Sequence, residues 1–325
     1  MRVLTVPNWS FGRDGDLLNR FRETLEERGL SLHYLQGDVD HNRTVSAFSG
    51  EGEAVFGALE RLCELAFDRI DLNHHVGVHP RIGALDVCPF LLMPELSITS
   101  TSGQATPAAS TPPSPSSPSS PSSPQPVTDS LPQPVSIERL LAGVEAFSAK
   151  IAGRFELPIF LYEKSERGRH EADLPSLRRG GFGGLIGREL NPDFGPSHAH
   201  PRLGVSVVGV RDFLIAANVN LAAEDPGIAK AIAAEVRNLR ASGDLRFLGV
   251  RALGFSLSSR HLSQVSLNFT LPDITPVDPA VEWVMGESAS RGSKFVGTEL
   301  VGVIRRRDLP TATRLSVREA QIVDL

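Results

Sequence analysis

Cysteine is nearly missing: Cys63 and Cys88 are the only two, and each sits inside an apolar run. Two cysteines with no CxxC spacing exclude a disulfide framework and a cysteine-based zinc site. Both read as core filler. Lysine is scarce too, with Lys150, Lys164, Lys230 and Lys294 the only four among 33 basic residues. The net charge is −5 and no basic stripe is visible, so no nucleic-acid partner is expected. No run of about 18 apolar residues occurs, so no membrane span is expected. The start, MRVLTVPNWS, has no apolar h-region, which points away from a signal peptide and toward a cytoplasmic location. The sequons at Asn8, Asn42 and Asn268 carry no meaning there.

Proline is the one residue in excess, and ten of the 24 prolines fall between Pro107 and Pro134. Residues 97–134 are almost all Ser, Thr, Pro and Ala, with no charge between Glu95 and Asp129. Such a stretch has too few large apolar groups to offset its ordering entropy. It reads as a disordered insert with polyproline-II character, and a proline-rich docking site is the alternative. The remaining chain of ordinary composition is long enough for about two domains.

Hydrophobic periodicity gives alternating strands and helices. Residues 3–6 form a strand. A helix follows with Asp14 or Asp16 as cap, an apolar face of Leu17, Leu18, Phe21 and Leu25, and Gly29 as its end. Strands at 30–39 and 43–48, a helix over 51–70 and a buried strand at 84–93 complete the pattern. Past the insert, Ser136 can cap a helix that leads to a strand at 159–162. The second half repeats the order. Strands are expected at 213–221, 247–257, 261–271 and 295–304, with helices opened by Asp225-Pro226 and Asp278-Pro279. The fold class is therefore α/β (α+β), with two ferredoxin-like βαββαβ subdomains and a ligand cleft between them. The first, residues 1–210, adds an α-β unit and carries the insert; the second is 211–325.

Four polar clusters could carry chemistry. The densest runs from His74 to Asp86 and holds His74, His75, His79 and Arg81, with Gly77 and Gly83, just before a strand. His75 and His79 are four apart, but Gly77 and Pro80 argue against a helix there. With no HExxH and no third carboxylate ligand, no metal is expected. The second cluster, Asp38, Asp40, His41, Asn42 and Arg43, lies at a hairpin turn, where Asp and Asn are common for purely structural reasons. The third is the rigid loop 191–204, either a ligand loop or a linker. The fourth, Arg178, Arg179 and four glycines over 177–184, lacks the GK[ST] ending of a phosphate loop and reads as a solvated loop.

Several stretches carry a family likeness: Val6-Pro7-Asn8, Asn42-Arg43-Thr44-Val45, and Gly77 with residues 79–90 (HPRIGALDVCPF). Residues 157–162 and 192–197, Asn218 to Leu221, Gln264-Val265-Ser266 with Asn268, and Glu299 to Gly302 continue it in order. In these the chain resembles the glutamate formimidoyltransferase (formiminotransferase) domain of histidine degradation. The resemblance implies transfer of a formimino group from N-formimino-L-glutamate to tetrahydrofolate as co-substrate. It also implies two α/β subdomains and a homodimer. It puts the catalytic histidine on His79. It puts folate binding on Gly195, Pro196, Ser197, His198, Ala199, His200, Pro201, Arg202, Leu203 and Gly204. Asp40, Asn42, Arg43 and Arg81 then become candidates for the substrate, the arginines as carboxylate clamps. A structural ion pair of Arg81 with Asp86 or Asp40 is the competing reading. Phe11 and Val78 replace two acidic residues of the family pattern. That leaves open a related enzyme acting on 5-formyltetrahydrofolate, or a folate-binding protein without catalysis.

Overall fold

Pro7 cannot donate to a strand ladder, and it splits the first strand in two. The computed structural model describes residues 1–94 and 134–325; the expected insert lies outside them except for Pro134. Strands β1 (Arg2–Thr5) and β2 (Asn8–Trp9) flank Pro7, and both run between the same two neighbours. Helix α1 (Gly15–Glu27) starts where the Asp14 carboxylate accepts from Leu17 N at 3.0 Å, so Asp14 is the cap. It ends at Gly29, whose φ of +64° glycine adopts without strain. Strands β3 (Ser31–Asp38) and β4 (Arg43–Glu51) form the expected hairpin. Helix α2 (Gly52–Arg69) and strand β5 (Leu85–Leu92) follow. The sheet order β3-β4-β1/β2-β5 is that of a ferredoxin-like βαββαβ unit.

Helix α3 (Pro134–Phe155), strand β6 (Ile159–Leu161), the single-turn α4 (Leu174–Leu177) and strand β7 (Ser206–Val210) extend this sheet. Helix α3 starts two residues before Ser136, so Ser136 lies inside its first turn and is not the cap. Strand β7 runs parallel to both β5 and β6 and separates them. It was not expected from sequence, because Ser206 and Gly209 interrupt its apolar run. Both are demanded by packing. Ser206 Oγ donates to Leu85 O at 2.7 Å, and a Cβ on Gly209 would stand 2.5 Å from Tyr162 O.

The second half builds its own four-stranded sheet. Strand β8 (Ile215–Leu221), helix α5 (Gly227–Ala241), strands β9 (Val250–Leu257) and β10 (Leu262–Phe269), helix α6 (Val277–Ser290) and strand β11 (Phe295–Val301) come in that order. The sheet order is β11-β8-β10-β9, again ferredoxin-like. Alternation sorts its faces. Ile215, Ala217, Val219, Val265 and Leu267 pack under the helices with Ile232 and Val236, leaving Asn218, Asn220 and Gln264 on the other face. Two expected helix starts differ in detail. Asp225 accepts from Gly227 N one turn position early, and Asp278 turns away to bind Thr313 and Arg314.

The expected last strand is shorter. It stops before Gly302 (φ +84°), and β12 (Ile304–Arg305) then pairs in parallel with β13 (Ile322–Val323). This tail crosses to the first half. Val303 and Val323 bury against Leu4, Tyr34, Val45, Ala47 and Leu91, and the Arg318 guanidinium sits 5.3 Å over the Tyr34 ring. The strap therefore fixes the helix-free face of the first sheet to the second half. Cys63 and Cys88 are buried free thiols, and burial pushes the Cys88 thiol up to about 12.

Candidate active site

The histidine loop between α2 and β5 is folded by its own arginine. The Arg81 guanidinium donates to His75 Nδ1, to Gly77 O at 2.6 Å and to His79 O. It pairs with neither Asp86 nor Asp40. His75 Nε2 donates to Asn42 O at 2.8 Å, which presses the loop against the β3–β4 turn. Gly77 allows the approach, since a Cβ there would stand 2.3 Å from His41 O. Asn42, itself at φ +45°, accepts from Gly12 N at 2.9 Å and donates to Val76 O at 3.1 Å. The Asp40 carboxylate accepts from Ser259 N (2.9 Å) and Ser259 Oγ (2.6 Å), which clasps the turn to the second half. The polar atoms of Asp40, Asn42 and Arg81 are thus engaged with the protein itself.

His79 and Arg43 are what this scaffold presents. His79 Nδ1 lies 2.7 Å from Pro80 O, which can only accept, so Nδ1 carries the proton. His79 Nε2 therefore holds the lone pair, and it accepts from Arg43 Nη1 at 2.6 Å. Burial, then the charges of Arg43 and Arg178, hold this imidazole well below its ordinary pKa. His41 stands edge-on with ring centroids 5.8 Å away, and Phe255 of β9 tilts against His79 at 5.9 Å. Arg43 is drawn down to about 10 by burial, with Arg178 adding, so it stays charged at neutral pH. Among the described residues no carboxylate lies within ion-pair distance of Arg43.

Arg178 enters the site although its Arg/Gly loop reads as solvated in the sequence. Its guanidinium donates to the buried Asp86 carboxylate, which also accepts from Ile82 N at 2.8 Å. Its Nε is buried without a partner. From the second sheet comes a polar network whose residues carry the family likeness but have no site role in the sequence reading. His41 is only 5% exposed, and its Nε2 meets Gln264 Oε1 at 3.2 Å. Gln264 Nε2 donates to Asn220 Oδ1 at 2.9 Å, and Asn220 Nδ2 donates to Glu299 at 2.8 Å. Arg260 Nη1 also reaches Glu299 at 2.8 Å. Burial would raise the Glu299 carboxyl, but the Asn220 and Arg260 donors outweigh it and hold it below the ordinary range. The signal was present: Asn218 and Asn220 on β8, and Gln264, Ser266 and Asn268 on β10, are polar at period two. Among the described residues, no three His, Cys, Asp or Glu side chains converge as metal ligands would.

Comparison with known families decides what this arrangement belongs to. Residues 2–111 and 129–211 match the N-terminal subdomain of the formiminotransferase domain, and residues 216–325 match the formiminotransferase domain. The chain belongs to the formiminotransferase family. Glutamate formimidoyltransferase of Streptococcus pyogenes serotype M1 is 29% identical, covering 93% of this chain and 88% of that one. Glutamate formimidoyltransferase of Thermoplasma acidophilum is 29% identical over 94% of this chain and 89% of its own. Formimidoyltransferase-cyclodeaminase of Gallus gallus is 27% identical over 98% of this chain, which spans about half (53%) of that protein.

The stretch 195–204 of this formiminotransferase chain divides into an exposed rim and an anchored end. Gly195, Pro196, Ser197 and His198 are exposed, and Pro201 is as well. Gly195 (φ +86°) lies where a Cβ would stand 2.5 Å from Leu157 O. His200 and Gly204 exchange two backbone hydrogen bonds of 2.9 Å, and His200 Nδ1 accepts from Leu203 N at 2.9 Å. Leu203 is buried in the first core, and Ala199 packs on the cluster around Tyr162 and Val207. The Arg202 guanidinium donates to Phe67 O (2.7 Å), Ile70 O (3.2 Å) and Asp68 O (3.3 Å), the free carbonyls ending α2. Arg202→Ala should therefore lower unfolding free energy by about 1–2 kcal/mol in a urea titration. No change would mean the cap contributes nothing.

The two non-acidic positions sit in different places. Phe11 is 6% exposed and packs edge-on to Phe21 at 5.1 Å, in the first core. Val78 is 43% exposed, with its backbone N–H donating to Asp40 O at 3.1 Å. An acidic side chain at position 11 would be buried in apolar surroundings at a large cost. The carboxylate that the second sheet does supply to this region is Glu299.

Proposed function

We propose that this chain transfers the formimino group of N-formimino-L-glutamate to tetrahydrofolate, with His79 as general acid and base. One observation carries the reading: His79 is held as a neutral imidazole whose Nε2 lone pair meets a charged Arg43 that pairs with no carboxylate among the described residues. Family membership and the relatives' names support it. In the reaction, folate N5 attacks the amidine carbon and the N5–C bond forms. His79 Nε2 takes the N5 proton and returns it to the glutamate nitrogen as the C–N bond breaks. The proton moves from one nitrogen to the other with no net gain or loss. Arg43 is the clamp for a substrate carboxylate. Asp40, Asn42 and Arg81 hold the loop and turn that carry His79 and Arg43. Residues 195–198 form the exposed rim assigned to folate. A homodimer and a cytoplasmic location belong to the same reading.

The test is glutamate release from N-formimino-L-glutamate by the purified protein. Release should need tetrahydrofolate. Release without any folate, or none with it, would overturn the reading. Release of tetrahydrofolate from 5-formyltetrahydrofolate, followed separately, distinguishes the related enzyme from this one.

A further inference from the structure

Two guanidiniums crowd one carboxylate beside His79. Arg43 and Arg178 both act on the His79 ring, and each acts on it as a charge of like sign to an imidazolium. Among the described residues Asp86 is the one carboxylate within ion-pair distance of the two, and it pairs with Arg178. The pair of guanidiniums with a single carboxylate leaves one positive charge uncompensated in a partly buried place. Donors are also left over. Arg43 uses Nη1 on His79, while Arg178 uses Nη2 on Asp86 and keeps a buried, unpartnered Nε. A planar carboxylate suits such forked donors.

We propose that Arg43 and Arg178 form a carboxylate subsite beside His79, and that a bound carboxylate takes the Arg43 guanidinium off His79 Nε2 and frees that nitrogen for proton transfer. This rests on the formimino-transfer reading for the identity of the occupant. In N-formimino-L-glutamate the reacting nitrogen is bonded to Cα, which carries the α-carboxylate. That carboxylate must lie next to the imidazole that serves the nitrogen. The carboxylates of folate are at the far end of that molecule from N5, so the donor is the occupant. The Arg43 contact thus masks the base, and the substrate unmasks it. The groups acting on His79 are His41 from the β3–β4 turn, Arg43 from β4 and Arg178 after α4, with Phe255 of β9 against its ring and Asp86 of β5 paired to Arg178. Of these, Arg43 alone donates to Nε2.

The test is NMR titration of His79 in the wild-type protein, with and without saturating L-glutamate. Glutamate should raise the His79 pKa by about one pH unit, because its α-carboxylate neutralises the cation now facing Nε2. Isoglutamine, which keeps the γ-carboxylate but has an α-carboxamide, should leave it unchanged. Arg43→Gln should raise the value in the free protein, with no further rise on adding glutamate. Arg178→Gln should weaken glutamate binding about tenfold. An unchanged His79 under saturating glutamate, or an equal rise with isoglutamine, would overturn the proposal. The ligand comparison uses wild-type protein, so a variant that fails to fold does not affect it. A rise with glutamate in a protein inactive in transfer would remove the formimino reading and keep the subsite. Turnover without the rise would remove the subsite alone.

Discussion

Replacing His79 by alanine should lower tetrahydrofolate-dependent glutamate release by about 10²–10⁴-fold, the usual loss when a positioned acid–base group is removed. The size follows from how the ring is held. Its Nδ1–H is fixed on Pro80 O, so one tautomer is present and Nε2 is always the basic atom. Free imidazole in solution would have to find both orientation and tautomer. The substitution removes a partly exposed side chain from a loop held by Arg81, His75 and Asn42, so folding should be retained. A rate within a factor of two of wild type would take the catalytic role from His79.

Gly204→Ala should be among the most damaging single substitutions, with a loss of more than about 3 kcal/mol in unfolding free energy. Gly204 has φ +73°, which alone costs an L-residue roughly 1–2 kcal/mol. Its Cβ would also stand 2.0 Å from Ile82 O, a backbone atom in a packed strand approach. That approach is made by Ala84 N to Leu203 O at 2.9 Å and Val205 N to Ile82 O at 3.0 Å. The neighbouring Gly83 is equally confined, with a Cβ 1.8 Å from Val205 O. The contact ties the histidine loop to the 195–204 stretch, so the variant should lose activity with its stability. Measured by urea midpoint, a loss below about 1 kcal/mol would show that the backbone relaxes there.

Much of this architecture was legible because each half alternates periods of two and 3.6. The alternation on β8 and β10, and the helical stripe on α2, need no partner to be recognised. What escaped depends on distant chain. Strand β7 is broken in composition by Ser206 and Gly209, whose smallness only the neighbouring Leu85 and Tyr162 explain. The C-terminal strap lies past the last expected strand, and only its contact with Tyr34 and Val45 makes it structural. The site shows the same divide. His79 and Arg43 lie in motifs that carry the family likeness. Arg178 looks like a solvated arginine until its loop reaches Asp86, 92 residues away in sequence. Asp40, Asn42 and Arg81 have side chains equally suited to a substrate or to backbone amides and carbonyls. Position alone decides between the two, and here each is bonded within the fold.

The central claim is that a neutral His79, held down by Arg43, is the base. The pH profile of kcat/KM in wild type and in Arg43→Gln tests it directly. This ratio reports groups of the free enzyme, and a base works only when deprotonated. In wild type the acid limb should fall below pH 6.5, because burial and Arg43 lower the His79 pKa. Removing the Arg43 cation raises that pKa, so the limb of Arg43→Gln should move to higher pH. Ionisation of the substrates is common to both profiles and cancels in the comparison. A limb that stays in place, or that moves to lower pH, would contradict the account.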